Sequence, residues 1–279
     1  MSDLILPRMM RAFVSALLLA AAAACAPAPP PAPPTPPAPV IVPGYGPMID
    51  NGYELPAIPA RYLVEPNRRL LVRYTGDVPA NTIEIDPYAK FLYYVNDDGT
   101  AMRYPIAVGR EGKSLRGTAT IGRKEEWPGW QPTANMLRTE PEVYGAYRGG
   151  IPGGLRSPLG ARALYLYRGG RDTYYRIHGT NDLQSIGNSG SAGCIRLFNQ
   201  DVIDLYDRVK IGTKVVIRSE EDSLRLEGPD YSPRGVELPP TIIPPEELLG
   251  PEAVAADHKI YEDGTTPADG TGSSAGANG

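Results

Sequence analysis

Between Thr82 and Ile217 short apolar runs are separated by turn signals, and their period is two for most of the distance. Thr82-Ile83-Glu84-Ile85 alternates and predicts a strand. Lys90-Phe91-Leu92-Tyr93-Tyr94-Val95 predicts another. The turn Asn96-Asp97-Asp98-Gly99 then leads into a return strand over Ala101 to Val108, which makes a hairpin. Arg68 to Tyr74 reads as an edge strand, and Thr118 to Ile121 as a further short one. Ala163 to Tyr167 and Thr173 to His178 form the next pair, joined by the turn Arg168-Gly169-Gly170-Arg171-Asp172. Only then does helical spacing set in. Val202, Ile203, Leu205, Tyr206 and Val209 fall on one face. Asn199 is the expected N-cap, with Asp201 in the first turn, and Gly212 stops the helix. Lys214 to Ile217 close the pattern with a last strand. The fold expected over residues 80–218 is mostly β: a mixed sheet or sandwich with one principal helix.

Residues 123–162 have no clear period but carry Trp127, Trp130, Tyr144 and Tyr147. A long irregular segment in a compact domain is usually functional or disordered. The aromatics argue against disorder, so the segment is expected to be a lid; the alternative is a loop that merely packs on the sheet.

The flanks have a different composition. The chain has 31 Pro and 31 Gly in 279 residues, unevenly placed. Residues 1–26 read as a secretory signal, with Arg8 and Arg11 before an apolar run from Ala12 to Ala24. That run is too short to span a hydrocarbon core of about 30 Å comfortably. Ala22-Ala23-Ala24-Cys25 resembles a lipoprotein signal with Cys25 as the lipidation candidate; Ala24-Cys25-Ala26 also fits ordinary small-x-small cleavage. The chain is therefore expected to be exported, to the periplasm or cell envelope, with a membrane tether if Cys25 is acylated. Residues 27–65 are read as a linker whose first part, 27–47, is about half proline and favours extended polyproline II. At about 3.1 Å per residue that tract reaches roughly 60 Å. Residues 219–279 carry 13 Asp/Glu against three Lys/Arg and are expected to be an acidic, largely disordered tail, with Ile242-Ile243 and Leu248-Leu249 as weak docking points. Net charge is −4, so nothing points to nucleic acid. Tyrosine (17) far outnumbers phenylalanine (3), in keeping with half-exposed β faces.

The chemistry narrows by elimination. There are two cysteines and two histidines; Cys25 lies in the leader and His258 in the tail. His178 ends an apolar run, and Cys194 follows after a polar loop, behind Gly190-Ser191-Ala192-Gly193. A thiolate is a nucleophile and an adjacent imidazole can activate it. Small residues before the cysteine let successive backbone N–H groups converge on an oxyanion. A free thiol in an exported chain carries an oxidation risk, so its presence suggests use. One His and one Cys are too few for zinc, which takes three or four ligands. Ile151-Pro152-Gly153-Gly154 lacks the Lys-Ser/Thr of a phosphate loop. No metal or cofactor is expected.

His178-Gly179, the spacer, and Ser191-Ala192-Gly193-Cys194-Ile195-Arg196 resemble the L,D-transpeptidase catalytic domain, the YkuD family. Trp127-Pro128-Gly129-Trp130, Pro158 to Leu166, Asn199 to Tyr206 and Gly212 to Ile217 extend the resemblance over about residues 80–218. Many members have a second histidine where this chain has Ala192. The resemblance implies a peptidoglycan enzyme of cell-wall organisation and cell shape. Cys194 would be the nucleophile, His178 the base and Gly179, through its carbonyl, the group orienting the imidazole. Gly193 and Ser191 would shape the oxyanion turn. Arg196, Trp130 and Tyr165 would contact substrate, with a salt bridge to a helix aspartate as the alternative for Arg196. The partners implied are peptidoglycan stem peptides and an amine acceptor: a second stem, a D-amino acid or an outer-membrane protein. Hydrolysis of the same bond, as in an L,D-carboxypeptidase or endopeptidase, and a non-catalytic wall-binding module are the alternatives.

Overall fold

β-Branched and aromatic residues suit the pleated surface, and they form strands here wherever a turn separates the runs. The computed structural model describes residues 40–41, 43–109, 116–190, 194–243 and 247. The strands and helices, in chain order, are β1 (Val40–Ile41), β2 (Met48–Asp50), β3 (Tyr53–Leu55), β4 (Leu70–Arg73), β5 (Ile83–Asp86), β6 (Phe91–Val95), β7 (Thr100–Pro105), β8 (Ala107–Val108), β9 (Gly117–Glu126), α1 (Ala134–Thr139), α2 (Pro141–Tyr144), β10 (Arg162–Arg168), β11 (Arg171–His178), β12 (Ser189–Gly190), β13 (Ile195–Arg196), α3 (Asn199–Arg208), β14 (Lys214–Ile217), α4 (Glu220–Glu227) and β15 (Glu237–Leu238).

Thirteen strands make one mixed sheet in the order β1-β4-β7-β6-β5-β14-β9-β10-β11-β13-β8-β12-β15, and β2 and β3 form a separate hairpin. The fold is mostly β, as the pattern predicts. Its seam is β14, which pairs parallel with β5 and antiparallel with β9. The last strand of the pattern thus joins the two halves of the sheet. Ile83, Leu92 and Tyr104 from one half share a core with Ile121, Leu164, Ile177 and Ile195 from the other. Val202 and Leu205 of α3 close that core, so the helix packs through the apolar face its spacing predicts.

Several elements differ from the sequence reading. Strand β4 is not the edge, because Val40 pairs with Leu71 outside it. Strand β9 runs ten residues instead of four. Its polar second half, Arg123 to Glu126, is held by pairing with β10, which hydropathy does not register. The linker expected at 27–65 is structured in its later part. Tyr53 and Leu55 are buried against Trp127, with ring centroids of Tyr53 and Trp127 4.3 Å apart. Asp50 accepts hydrogen bonds from Trp127 Nε1 (2.7 Å) and Arg162 Nη1 (2.7 Å). Proline content hid three or four side chains that suffice to dock the segment. The signal at 1–26, Cys25 and the proline tract to residue 39 lie outside the described residues.

The acidic tail also begins as structure. Ser219 caps α4 by accepting from the Asp222 N–H. Glu227 of that helix pairs with Arg218, whose guanidinium also binds Glu84 (2.6 Å) and Asp86 (3.1 Å). Arg218, Glu84 and Asp86 are all buried. The ion cluster locks α4 onto β5, and average acidity conceals it because the cations lie elsewhere in the chain. Asn199 does not cap α3: the N-cap is Phe198, without a side-chain bond. The Asn199 Oδ1 accepts instead from the buried N–H of Ala161 (2.9 Å), a donor that would otherwise go unsatisfied.

Candidate active site

His178 is the last residue of β11, and Cys194 immediately precedes β13. These strands pair in parallel, with His178 opposite Arg196. The Leu197 N–H donates to the His178 carbonyl (2.9 Å), and the Gly109 N–H donates to the Cys194 carbonyl (3.0 Å). Pairing therefore brings the two side chains to one end of the sheet although 16 positions separate them. Both line a cavity of about 380 Å³, with Arg196, Tyr165 and Trp130 also in its wall. A pocket of this size suits a small-molecule or peptide ligand. Cys194 is half-buried and forms no disulfide.

His178 is buried, and its Nδ1 lies 2.5 Å from the carbonyl oxygen of Gly179. A carbonyl can only accept, so Nδ1 carries the proton and Nε2 presents a lone pair. Burial pushes the His178 pKa down from 6.5 to about 3. The nearby Arg196 charge acts in the same direction, while backbone hydrogen bonds to Gly179 and Leu159 act against it. The imidazole is therefore neutral at pH 7, as a proton acceptor must be.

Glycine at 179 has a steric cause. A Cβ there would meet the Oδ1 of Asn199, and Gly160 (φ 63°) approaches the same oxygen. The three residues interlock next to the carbonyl that holds the imidazole. This ties the orientation of His178 to α3 through Asn199.

Arg196 forms a salt bridge, but to a loop aspartate and not to the helix aspartate named as its alternative. Its Nη1 pairs with Asp182 (3.1 Å) and its Nη2 donates to the Gly190 carbonyl (3.0 Å). Asp182 sits just before a 3₁₀ turn, Leu183–Ser185. Burial lowers the Arg196 pKa, and Asp182 and Cys194 work against that shift. Arg196 thus favours negative charge on Cys194 and disfavours positive charge on His178. The Arg196 Nε and Asp182 Oδ1 are buried without a hydrogen-bond partner among the described residues. Both residues line the cavity through other atoms.

Tyr165 donates to Glu125 (2.6 Å) and lies between two guanidinium groups, Arg123 at 3.5 Å and Arg176 at 4.3 Å from its ring centroid. Trp130 is fixed by a two-way backbone pairing with Ile151 (2.8 and 2.7 Å) and lies 6.1 Å from Tyr144. The lid segment is thereby pinned to itself at the cavity's edge. Ser191 and Gly193 lie outside the described residues, as does His258.

Sequence reasoning missed Asp182, Tyr174 and Thr241 and named Ile242-Ile243 only as a weak docking point; all of them line the cavity. Asp182 was visible only as one polar residue in a polar loop. Tyr174 is 81% exposed at φ 63°, a conformation that strand propensity does not anticipate. Ile242-Ile243 stood out as an apolar pair in an acidic tail, without a target. Among the described residues no group of three or more His, Cys, Asp or Glu is placed to hold a metal ion. None of their helices is long and apolar enough to cross a membrane.

The L,D-transpeptidase catalytic domain, YkuD, matches residues 80–217. The probable L,D-transpeptidase ErfK/SrfK of Escherichia coli K12 is 37% identical over 130 residues, covering 46% of this chain and 40% of that protein. The probable L,D-transpeptidase YbiS of the same strain is 37% identical over 131 residues, covering 45% and 40%. The chain thus spans 40% of the length of these two relatives. A crystal structure of a Brucella melitensis protein, described as a probable carnitine operon oxidoreductase caia, is 49% identical and covers 57% of this chain and 98% of that one. The two superpose with a TM-score of 0.39. The match, ending with β14 at the seam of the sheet, makes residues 80–217 an L,D-transpeptidase catalytic domain of the YkuD family.

Proposed function

We propose that the protein is a peptidoglycan L,D-transpeptidase that transfers an acyl group through Cys194. The observation that carries this is the buried imidazole of His178, its Nδ1 held by the Gly179 carbonyl, sharing one cavity with the thiol of Cys194. In this reading Nε2 of His178 takes the thiol proton and the sulfur attacks the carbonyl carbon of the bond between the L-centre of the diamino acid and the terminal D-alanine. The tetrahedral oxyanion is held by backbone N–H groups at Gly193 and Cys194. Its collapse breaks the C–N bond, and His178 returns the proton to the departing amine of D-alanine. A thioester remains on Cys194. An acceptor amine then attacks it, His178 takes the amine proton, and the proton is returned to the leaving sulfur.

Arg196 and Asp182 fit a supporting role. Their pair is charge-balanced and stands in the cavity wall beside His178 and Cys194. The protein would be exported to the cell envelope, with the proline tract as spacer and Cys25 as a candidate tether. The acceptor would be a second stem peptide, a D-amino acid or an outer-membrane protein.

The test is incubation of the purified protein with tetrapeptide-containing sacculi, followed by separation and mass analysis of muropeptides. New 3→3 cross-linked dimers and released D-alanine are expected. Tripeptides alone would assign an L,D-carboxypeptidase. Unchanged muropeptides with intact protein would reject acyl transfer.

A further inference from the structure

The chain does not leave the domain after α4. It turns at Gly228 and runs back towards the cavity as a strap. The Arg234 guanidinium donates to the carbonyls of Ala89 (2.9 Å) and Lys90 (3.1 Å) and to Asn67 Oδ1 (3.0 Å). The Val236 N–H donates to Asn188 Oδ1 (3.0 Å), and the Val236 carbonyl accepts from the Ser189 N–H (2.8 Å). Strand β15 then pairs in parallel with β12, Gly190 opposite Leu238. Gly190 has φ 147°, and a Cβ there would meet the backbone of Leu238. The strap is thus fixed four residues from Cys194. Pro239-Pro240 stiffen the chain beyond it, and Thr241, Ile242 and Ile243 line the cavity.

The lining divides chemically. Ile242, Ile243, Trp130 and Met136 are apolar; Arg176 and Arg196 are cationic. A stem peptide has the same two characters, with methyl and methylene carbon beside carboxylates and amides. The strap lies beyond the family domain, which ends at 217.

We infer that Ile242 and Ile243 are substrate-binding residues, a wall supplied by the C-terminal strap that packs the aliphatic carbon of the stem peptide and sets affinity for the donor. The inference rests on the transpeptidase reading above. A wall of this kind acts on binding and leaves the Cys194–His178 chemistry alone. Removing it should raise KM and spare kcat.

The experiment uses the full chain, with D-alanine release from a purified tetrapeptide donor as the assay. Paired Ile242→Ala and Ile243→Ala should raise KM about tenfold, the low end of what a single methylene is worth in an enclosed apolar pocket, because both side chains are only half-buried. The kcat should stay within about threefold. Paired Ile242→Leu and Ile243→Leu, which keep volume, should return KM most of the way. Thermal melts of each variant are compared with wild type. An unchanged KM with an active wild type overturns the inference and leaves the transpeptidase reading intact. A rise in kcat/KM on truncating the side chains also overturns it, because it would make the strap a plug that substrate must displace. A fall in kcat with a lowered melting temperature and constant KM overturns it in favour of a structural role. No D-alanine release by wild type removes both readings.

Discussion

The neutral state of His178 makes an unusual pH profile the sharpest expectation. A histidine titrating at 6.5 is roughly 3% neutral at pH 5, whereas one at about 3 is roughly 99% neutral. If His178 accepts the thiol proton, those fractions multiply the acylation rate, a difference of about 30-fold at pH 5. Stopped-flow acylation by a carbapenem should therefore stay within a few-fold between pH 7 and pH 5, with His178→Gln slower by about 10²-fold throughout. The same depressed value affects stability. The unfolded chain binds a proton at His178 below 6.5 and the folded chain does not until about 3, so this contribution is present above 6.5 and lost as pH falls through that window. From pH 7 to pH 5 the loss is about 2 kcal/mol. Asp201 has the opposite sign: burial raises it to about 7, so its contribution is present below 3.8 and lost as pH rises through about 7. The two offset each other between pH 5 and 7, and the His178 share is read as the difference between wild type and His178→Gln in urea melts. A 30-fold fall in acylation at pH 5, or an imidazole NMR titration centred near 6.5, would refute the reasoning.

Cys194→Ala should abolish the carbapenem mass adduct, and Cys25→Ala should leave it unchanged; an adduct on Cys194→Ala by intact-protein mass spectrometry would remove Cys194 as nucleophile. Gly179→Ala should drive Asn199 off the Ala161 N–H, costing about 1–3 kcal/mol of stability and misaligning His178; wild-type melting and acylation would show that the interlock has slack. Arg218→Ala should cost about 3–5 kcal/mol, because it leaves Glu84 and Asp86 buried without their cation. A loss under about 1 kcal/mol in denaturant melts would mean that water reaches the cluster.

The strand pattern, the helix face of Val202 and Leu205, and the His178/Cys194 pair were all legible in the sequence, because each is set by local period or by residue scarcity. A side chain that must face a core repeats at a fixed interval, and one cysteine with one histidine between leader and tail leaves few alternatives. Pairing decided the rest. The length of β9 depends on a partner 40 residues away, and the Asn199 side chain left its capping role for a buried donor on another strand. Arg218 joined three carboxylates that composition could only count as excess acid. Burial moved His178 to about 3, a consequence of neighbours that no spacing encodes. The strap shows the division most plainly: its sequence announces an acidic, proline-broken tail, yet Arg234, Val236 and Leu238 find partners on distant segments and carry Ile242 to the cavity. Local propensity acts over a few residues, whereas a hydrogen-bond partner is chosen by what the folded chain brings within about 3 Å.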